Sequence, residues 1–315
     1  MMRACITCAV LLAPAAFPAS AFADAVTVKD AVGRNVSISD ASRIVSIGGA
    51  VTEILYALGL EQRVVAVDTT SLYPPQALKT KANVGYLRQL SPEGVLGLNP
   101  SLVLAAEGAG PKEAVSVLET AAVPYVRVPD HFTGEGIVEK INLIAAATGT
   151  SKRGACLAAS VASDLGVLEK LRAANTKPAK VLFVLSLTNG RAMVAGRNTA
   201  ADGIITLAGA QNAITEFDGY KIVNEEAIVA AKPQAVLAME REGFQMKGDE
   251  VLAGPGFNLT PAAANKVFVS MEGQYLLGFG PRTARAARDL AHALDPKADA
   301  RLPSDASGAT PPCAD

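Results

Sequence analysis

The chain has 315 residues, half of them apolar and 19% charged, which is the composition of a globular protein of about two domains. Lys and Arg total 29 against 30 Asp and Glu, and this net charge of -1 argues against nucleic acid or an anionic membrane as the main partner. Two histidines are too few for a multi-histidine zinc site.

Residues 1–23 have the pattern of a signal peptide. Arg3 gives a positive start, residues 4–17 are mostly apolar, and Ala21-Phe22-Ala23 has the small-x-small spacing of a signal peptidase site. The apolar stretch is too short for a stable transmembrane helix. We therefore expect cleavage after Ala23 and release into the periplasm, with no direct membrane insertion.

Cleavage would leave two of the four cysteines, Cys156 and Cys313. The first lies in a predicted helix and the second in a tail rich in Pro, Ser and Gly. Their spacing does not decide whether they form a disulfide. We expect the tail, residues 303–315, to be disordered.

The first elements after the signal form a predicted β-hairpin, Val26–Val28 and Val36–Ile38, around a polar segment containing Gly33. Apolar strands then alternate with segments that have helical periodicity. The predicted strands of the first half are Ile44–Ile47, Val64–Val67, Leu102–Ala105 and Tyr125–Val128, and the predicted helices cover residues 52–58, 92–98, 112–118 and 136–147. This alternation is typical of a parallel sheet covered by helices on both faces.

The second half repeats this alternation, with predicted strands at Val181–Val184, Ala235–Ala238 and Val267–Val269. A helical stripe runs through residues 150–174 and predicts a helix about 36 Å long. We therefore predict an α/β protein with two Rossmann-like lobes of mainly parallel sheet, joined by one long rigid helix, with a ligand cleft between them. The predicted boundaries are 24–148 for the first lobe, 149–176 for the helix and 177–302 for the second lobe.

An internal repeat supports two similar lobes. Residues 91–105 and 224–238 have similar residue types throughout, and each segment predicts a short helix that ends at a proline and leads into a buried strand. Glu93 and Glu226 occupy equivalent positions, before Pro100 and Pro233 respectively. A glutamate early in a helix suits the positive end of the helix dipole.

Four segments resemble the periplasmic binding proteins of ABC importers for iron-siderophores, cobalamin and haem. Residues 43–59 resemble the first strand and helix of that class. Three loops are most similar to its haem-binding members, namely Asn83–Ser91, Ala195–Thr199 and Leu276–Thr283. The resemblance covers about residues 43–294. It implies two α/β lobes joined by a rigid helix, and a protein that captures haem and delivers it to an inner-membrane permease rather than an enzyme.

The resemblance assigns Tyr86 as the ligand of the haem iron, which also makes it the metal-binding residue. A phenolate oxygen is a hard donor suited to ferric iron, and tyrosine is a known axial haem ligand. Free tyrosine has a pKa of about 10, so ionisation near neutral pH needs positive charge beside it. The iron would supply most of that charge, and we assign Arg88 the supporting role. A loop tyrosine that only packs, with its hydroxyl in water, is the alternative.

Two further arginines are candidates for supporting haem from the second lobe. Arg241 follows the strand at Ala235–Ala238, and ligands of parallel α/β lobes bind at the carboxyl ends of strands. Its alternative is a surface ion pair with a neighbouring glutamate. Arg197 is a weaker candidate for a haem propionate. The first loop of this lobe, Leu185–Arg191, has no histidine, unlike some relatives that hold a second haem, so we expect one haem.

The histidines and the repeated glutamates have other expected roles. We interpret His131 as a loop residue beside Asp130, and His292 as structural. The resemblance places Glu93 and Glu226 in docking, one on each lobe, to the two halves of a dimeric ABC permease. Glu53 is an alternative acidic contact on the first lobe.

Three functions remain open at this point. A haem-binding transport protein, expected to be monomeric, comes first, and a siderophore or cobalamin binder of the same class comes second. An exported α/β enzyme comes third, because the sequence has no G-x-S-x-G elbow and no evident Cys/His pair.

Overall fold

The computed structural model describes residues 25–188, 190–241, 243, 245–297, 301–307 and 313. The predicted signal peptide therefore lies outside the described residues. The chain first forms a hairpin of two antiparallel strands, β1 (Val26–Lys29) and β2 (Asn35–Ile38), as predicted. Asp30 closes its turn by accepting the backbone N–H groups of Val32 and Arg34.

The first lobe is a five-stranded parallel sheet with helices on both faces. Its strands are β3 (Ile44–Ile47), β4 (Val64–Val67), β5 (Ala82–Asn83), β6 (Leu102–Ala106) and β7 (Tyr125–Val128). Its helices are α1 (Gly49–Ala57), α2 (Gln76–Thr80), α3 (Pro92–Leu96), α4 (Lys112–Thr120) and α5 (Gly134–Ala147). The strand order is β5-β4-β3-β6-β7, and every residue of the central strand β3 is buried. A continuous apolar run suits a strand that is covered on both faces.

One long helix, α6 (Ser151–Ala174), follows the first lobe and leads into the second. It packs closely along α5 at Gly154. A Cβ atom at that position would lie 2.2 Å from the Cβ of Ala145, so a larger residue would push the two helices apart. The 24 residues of α6 span about 36 Å, which agrees with the helix predicted from the periodicity.

The second lobe has a mixed sheet. Its strands are β8 (Lys180–Thr188), β9 (Arg191–Ala195), β10 (Gln211–Asn212), β11 (Tyr220–Val223), β12 (Ala235–Glu240) and β13 (Phe268–Glu272). Its helices are α7 (Ala200–Leu207), α8 (Glu225–Ala231), α9 (Gly248–Leu252), α10 (Pro261–Ala264), α11 (Gly273–Leu277) and α12 (Thr283–Leu294). The order is β11-β9-β8-β12-β13, with β10 beside β8. The parallel strands β8, β12 and β13 were expected, whereas the antiparallel pairing of β9 with β8 and β11 was not.

The two copies of the repeat occupy the same place in their lobes. Helix α3 leads to β6 and helix α8 leads to β12, and each of these strands lies between two parallel neighbours. Each helix begins with the same kind of cap, because the side chains of Ser91 and Asn224 accept the backbone N–H groups of Gly94 and Ala227. The sequence repeat is therefore also a structural repeat.

The described part of the C-terminal tail, residues 303–307 and 313, differs from the expected disorder. Pro303–Ser307 forms a 3₁₀ helix instead of a disordered segment, and the preceding Leu302 is buried. The backbone N–H of Ser304 donates to Asp164 of α6 at 3.0 Å. Cys313, farther along, forms a disulfide with Cys156 of α6. The polar residues of this segment have their partners on α6 and α12, which are distant in the sequence. The composition of the segment alone therefore does not reveal that it is ordered.

No helix within the described ranges is both long and apolar enough to cross a membrane.

We predict that the Cys156–Cys313 disulfide stabilises the folded protein. It links residues 157 positions apart, and closing a long loop lowers the entropy of the unfolded chain. The double change Cys156→Ser and Cys313→Ser should lower the free energy of unfolding by about 2–4 kcal/mol in a denaturant titration. Reductant should destabilise the wild type to the same extent and leave the double variant unchanged. Equal stability of the two proteins without reductant would contradict the prediction.

We also predict that the lobes move little relative to each other when ligand binds. Helix α6 contains no proline, and its glycines, Gly154 and Gly166, are isolated, so it lacks the usual causes of a sharp kink. Small-angle scattering of the mature protein with and without haemin should give nearly the same radius of gyration. A marked contraction on binding would show that α6 bends or that the lobes pivot about its ends.

Candidate functional site

Tyr86 lies in a loop whose backbone is fixed on both sides. The loop leaves β5 through Gly85, which has φ +86°, a conformation that favours glycine. Asn83 accepts the N–H of Gly85 at 2.8 Å, and the carbonyl of Gly85 accepts the N–H of Thr69 at 2.9 Å. Beyond Tyr86, the carbonyl of Leu87 accepts the N–H of Gly110 at 2.9 Å. A well-fixed backbone therefore carries the tyrosine.

The side chain of Tyr86 is 40% exposed. This exposure leaves the phenol oxygen accessible to a ligand, and it also suits the alternative of a packed ring with its hydroxyl in water. Arg88, two residues farther on, is also exposed. The structure therefore brings the two first-lobe candidates to the surface of one loop.

The charge of Arg88 in the first lobe acts on Tyr220 of the second lobe. Burial raises the pKa of the Tyr220 phenol, and the side chain of Thr199, the backbone N–H of Ala201 and the charge of Arg88 each offset part of that rise. Thr199 and Ala201 belong to the start of α7, so the phenol oxygen of Tyr220 lies at the positive end of a helix. Tyr220 is not among the residues predicted from the sequence, because it lies on β11, a strand that the pattern does not predict.

Arg241 lies at the carboxyl end of β12 and lines a cavity of about 880 Å³ between the lobes. The position is the one predicted for it. The first lobe contributes Leu72, Tyr73 and Pro75 to this cavity. From the second lobe come Glu240, Arg241, Gly243, Gln245, Glu272, Tyr275 and Arg282. The neighbouring Glu240 accepts a hydrogen bond from Gln245 at 2.8 Å.

The remaining candidates have local partners. The guanidinium of Arg197 donates to Asp218 at 3.0 Å, so a ligand carboxylate would compete with this pair. His131 is a loop residue, as expected, and its ring nitrogen Nδ1 lies 2.9 Å from a carboxylate oxygen of Glu139 on α5. Asp130 accepts a hydrogen bond from Lys140. His292 is exposed in the last turn of α12.

Glu93 and Glu226 are both exposed, each as the second residue of its capped helix. Glu53, the alternative acidic contact, is only 5% exposed and lies between the lobes. Its carboxylate accepts the backbone N–H of Arg282 at 2.9 Å and a guanidinium N–H of the same residue at 3.0 Å. Burial raises the pKa of Glu53, and Arg282 offsets part of the rise. Glu53 is therefore not available to a partner protein.

A second hollow, of about 980 Å³, lies between α5, α6 and α7. Its described charged lining is mostly acidic, with Arg172 opposite Glu135, Glu139, Glu169 and Asp202. An anionic ligand would be repelled there, whereas in the interlobe cavity Arg241 and Arg282 balance Glu240 and Glu272. Of the two, the interlobe cavity is the candidate site for an anionic, largely apolar ligand.

Comparison with known proteins agrees with this fold. The model of the periplasmic binding protein family matches residues 44–275. A solved periplasmic heme-binding protein, BhuT in complex with two hemes, is 39% identical, with a TM-score of 0.76, over 82% of this chain and 99% of that chain. An uncharacterized ABC transporter substrate-binding lipoprotein, YvrC of Bacillus subtilis, is 28% identical over 86% of each chain. The vitamin B12-binding protein of Pectobacterium atrosepticum is 26% identical over 62% of this chain and 70% of its own.

Proposed function

This chain belongs to the periplasmic binding protein family, and we propose that it captures haem between its lobes and delivers it to an inner-membrane ABC importer. The observation that carries the proposal is Tyr86, an exposed phenol on a loop of fixed backbone. Phenolate is a suitable axial ligand for ferric haem. The similarity to a solved haem-binding protein over most of the chain supports the same conclusion.

The interlobe cavity offers groups that suit the other parts of a haem molecule. Haem combines a flat apolar ring with two carboxylates, and ligand cavities of this kind are largely apolar with a few well-placed polar groups. Leu72 and Tyr73 offer apolar surface in the interlobe cavity. Arg241 in the same cavity and Arg88 beside Tyr86 offer positive charge. We assign the iron to Tyr86 and the supporting contacts to these arginines, with Arg197 a weaker candidate.

We propose one haem per chain. The similar solved structure contains two hemes. In this chain the segment Leu185–Arg191, at the end of β8, offers no histidine for a second iron. A neutral imidazole is a frequent axial ligand, and its absence from this segment removes the donor expected there.

Cobalamin is the second candidate ligand, because relatives named vitamin B12-binding proteins match part of the chain. The mature protein can be titrated separately with haemin and with cobalamin. Binding of cobalamin without any change in the haemin spectrum would favour this alternative.

Delivery needs a partner, and we propose that Glu93 and Glu226 contact an ABC permease dimer. Both are exposed, and both occupy the same position in the two copies of the structural repeat. A partner with two similar halves can then meet one carboxylate from each lobe. The protein itself is proposed to act as a monomer released into the periplasm.

We predict that Tyr86→Phe abolishes the phenolate-to-iron charge-transfer band of the haemin complex. The change keeps the ring and removes the oxygen, so the affinity for haemin should fall by about 100-fold. Loss of a residue that only supports a metal ligand already lowers affinity by about 10- to 100-fold. Tyr56→Phe is a matched control, since Tyr56 lies on α1 and does not line the interlobe cavity. A wild-type spectrum in Tyr86→Phe would refute the iron assignment, and saturation at two haemins per chain would refute the stoichiometry.

We predict that the double variant Glu93→Ala and Glu226→Ala binds haemin normally but associates with its permease about tenfold more slowly at low salt. Exposed charges at an interface mainly steer encounter, and salt screens them. Surface plasmon resonance with the permease in nanodiscs would measure the rate. Glu169→Ala with Glu250→Ala is the control, because these glutamates are exposed outside the repeat. Loss of haemin binding with normal docking would move the pair to the ligand site.

A further inference from the structure

Three residues from the end of the second lobe contact the first lobe beside the candidate cleft. Gln274 donates its side-chain N–H to the carbonyl of Gly49 at 2.9 Å and accepts the backbone N–H of Tyr73 at 2.8 Å. Arg282 makes two hydrogen bonds to Glu53, as described above. Gly280 lies so close that a Cβ atom there would be 3.1 Å from the Glu53 carboxyl carbon. We call the contact made by Glu53, Tyr73, Gln274 and Arg282 the interlobe clamp.

The guanidinium of Arg282 also lies between two aromatic rings. Its central carbon is 3.5 Å from the ring centre of Tyr73, in the first lobe, and 5.2 Å from that of Tyr275, in the second. An arginine over the face of a ring is attracted by the ring quadrupole. Arg282 therefore holds the first lobe through a carboxylate and an aromatic face at the same time. The rigid, planar guanidinium suits this double role, which lysine would not reproduce.

The clamp is part of the cleft wall. Tyr73, Tyr275 and Arg282 line the same interlobe cavity as Arg241. In the first lobe, Tyr73 lies shortly after Thr69. The backbone N–H of Thr69 donates to the carbonyl of Gly85, the residue before Tyr86. A change in the clamp would thus alter the gap between the lobe that carries Tyr86 and the lobe that carries Arg241.

We propose that Arg282 is a positioning residue for ligand capture, which fixes the gap between the lobes through Glu53 and Tyr73. This inference rests on the proposed function. Arg282 does not bind the iron. It keeps the two walls of the cleft at the separation at which Tyr86 and Arg241 can contact one haem together. A protein with this clamp has its cleft formed before ligand arrives.

The test measures the gap and the binding separately. Val117 of α4 and Leu259 of the second lobe are 51% and 73% exposed, so cysteines there can carry spin labels, one on each lobe. The native cysteines are paired and do not compete for the label. Electron double resonance on the unliganded mature protein then gives the distribution of distances between the lobes. A haemin titration of each variant gives its affinity and its visible spectrum.

Arg282→Lys keeps the positive charge beside Glu53 but loses the planar fork. We expect a broader distance distribution and an affinity about tenfold lower, which is the loss expected if the correct gap is present in about a tenth of the molecules. The tyrosinate band of bound haemin should be unchanged, because Tyr86 is intact. Arg288→Lys is the matched control on the same helix, since Arg288 bonds to Asp289 and Asp305 and not to the first lobe.

Gln274→Ala is the second variant. If Arg282→Lys fails to fold, it tests whether the interlobe clamp fixes the gap between the lobes. It removes the bridging amide without leaving a buried charge, and should broaden the distances and weaken haemin binding in the same direction. Distances as narrow as in the wild type, or broad distances with wild-type affinity, would overturn the proposal. Failure of the wild type itself to bind haemin would instead refute the proposed function, while the distances would still show whether Arg282 holds the lobes.

Discussion

A constant separation between the two lobes is the constraint on which the rest of this structure depends. The proposed iron donor, Tyr86, belongs to the first lobe, and Arg241 belongs to the second. The proposed site therefore needs both lobes. Helix α6 spans the molecule without a proline, and the Glu53–Arg282 contact joins the lobes near the cleft. The tail adds a covalent link, because Cys313 is bound to α6. These features hold the first lobe, which carries Tyr86, and the second lobe, which carries Arg241, in one arrangement.

Burial explains why the Glu53–Arg282 contact can restrict the lobes. An exposed ion pair contributes little, because water and salt screen it. A buried pair costs desolvation, but removing one partner leaves an uncompensated charge and is strongly unfavourable. Separating the lobes here would have that effect, since Glu53 has 6% of its side chain exposed. The contact thus contributes little to the free energy of unfolding, but it makes other arrangements of the two lobes unfavourable.

The sequence predicted the elements that depend on local pattern. Apolar runs such as Ile44–Ile47 became buried parallel strands, and the repeat around Glu93 and Glu226 became two equivalent helix–strand units. Strand β9 was missed, although the pair Asn189-Gly190 before it is a common hairpin turn sequence. The expectation of disorder was wrong for Pro303–Ser307, where Ser304 bonds to Asp164, 140 positions away in the chain.

The residues of the candidate site fall into the same two groups, those that a local sequence pattern signals and those that depend on distant partners. Tyr86 was found because its loop resembles those of a known family, and Arg241 because it follows a predicted strand. Tyr220, Gln274 and Arg282 were not found, since their significance comes from partners in the other lobe. Arg282 and Glu53 are separated by 229 positions, and no local pattern signals such a contact. The candidate binding residues could be proposed from the sequence, whereas the contacts between the lobes required the structure.

The central claim is that one haem lies between lobes whose separation is already set. A crystal structure of the mature protein grown with haemin tests it most directly. The account predicts iron bonded to the phenol oxygen of Tyr86, Arg241 on the opposite side of the ring, and the contacts of Glu53 with Arg282 unchanged. Haem bound outside the cleft, or bound within it only after those contacts have separated, would contradict the account.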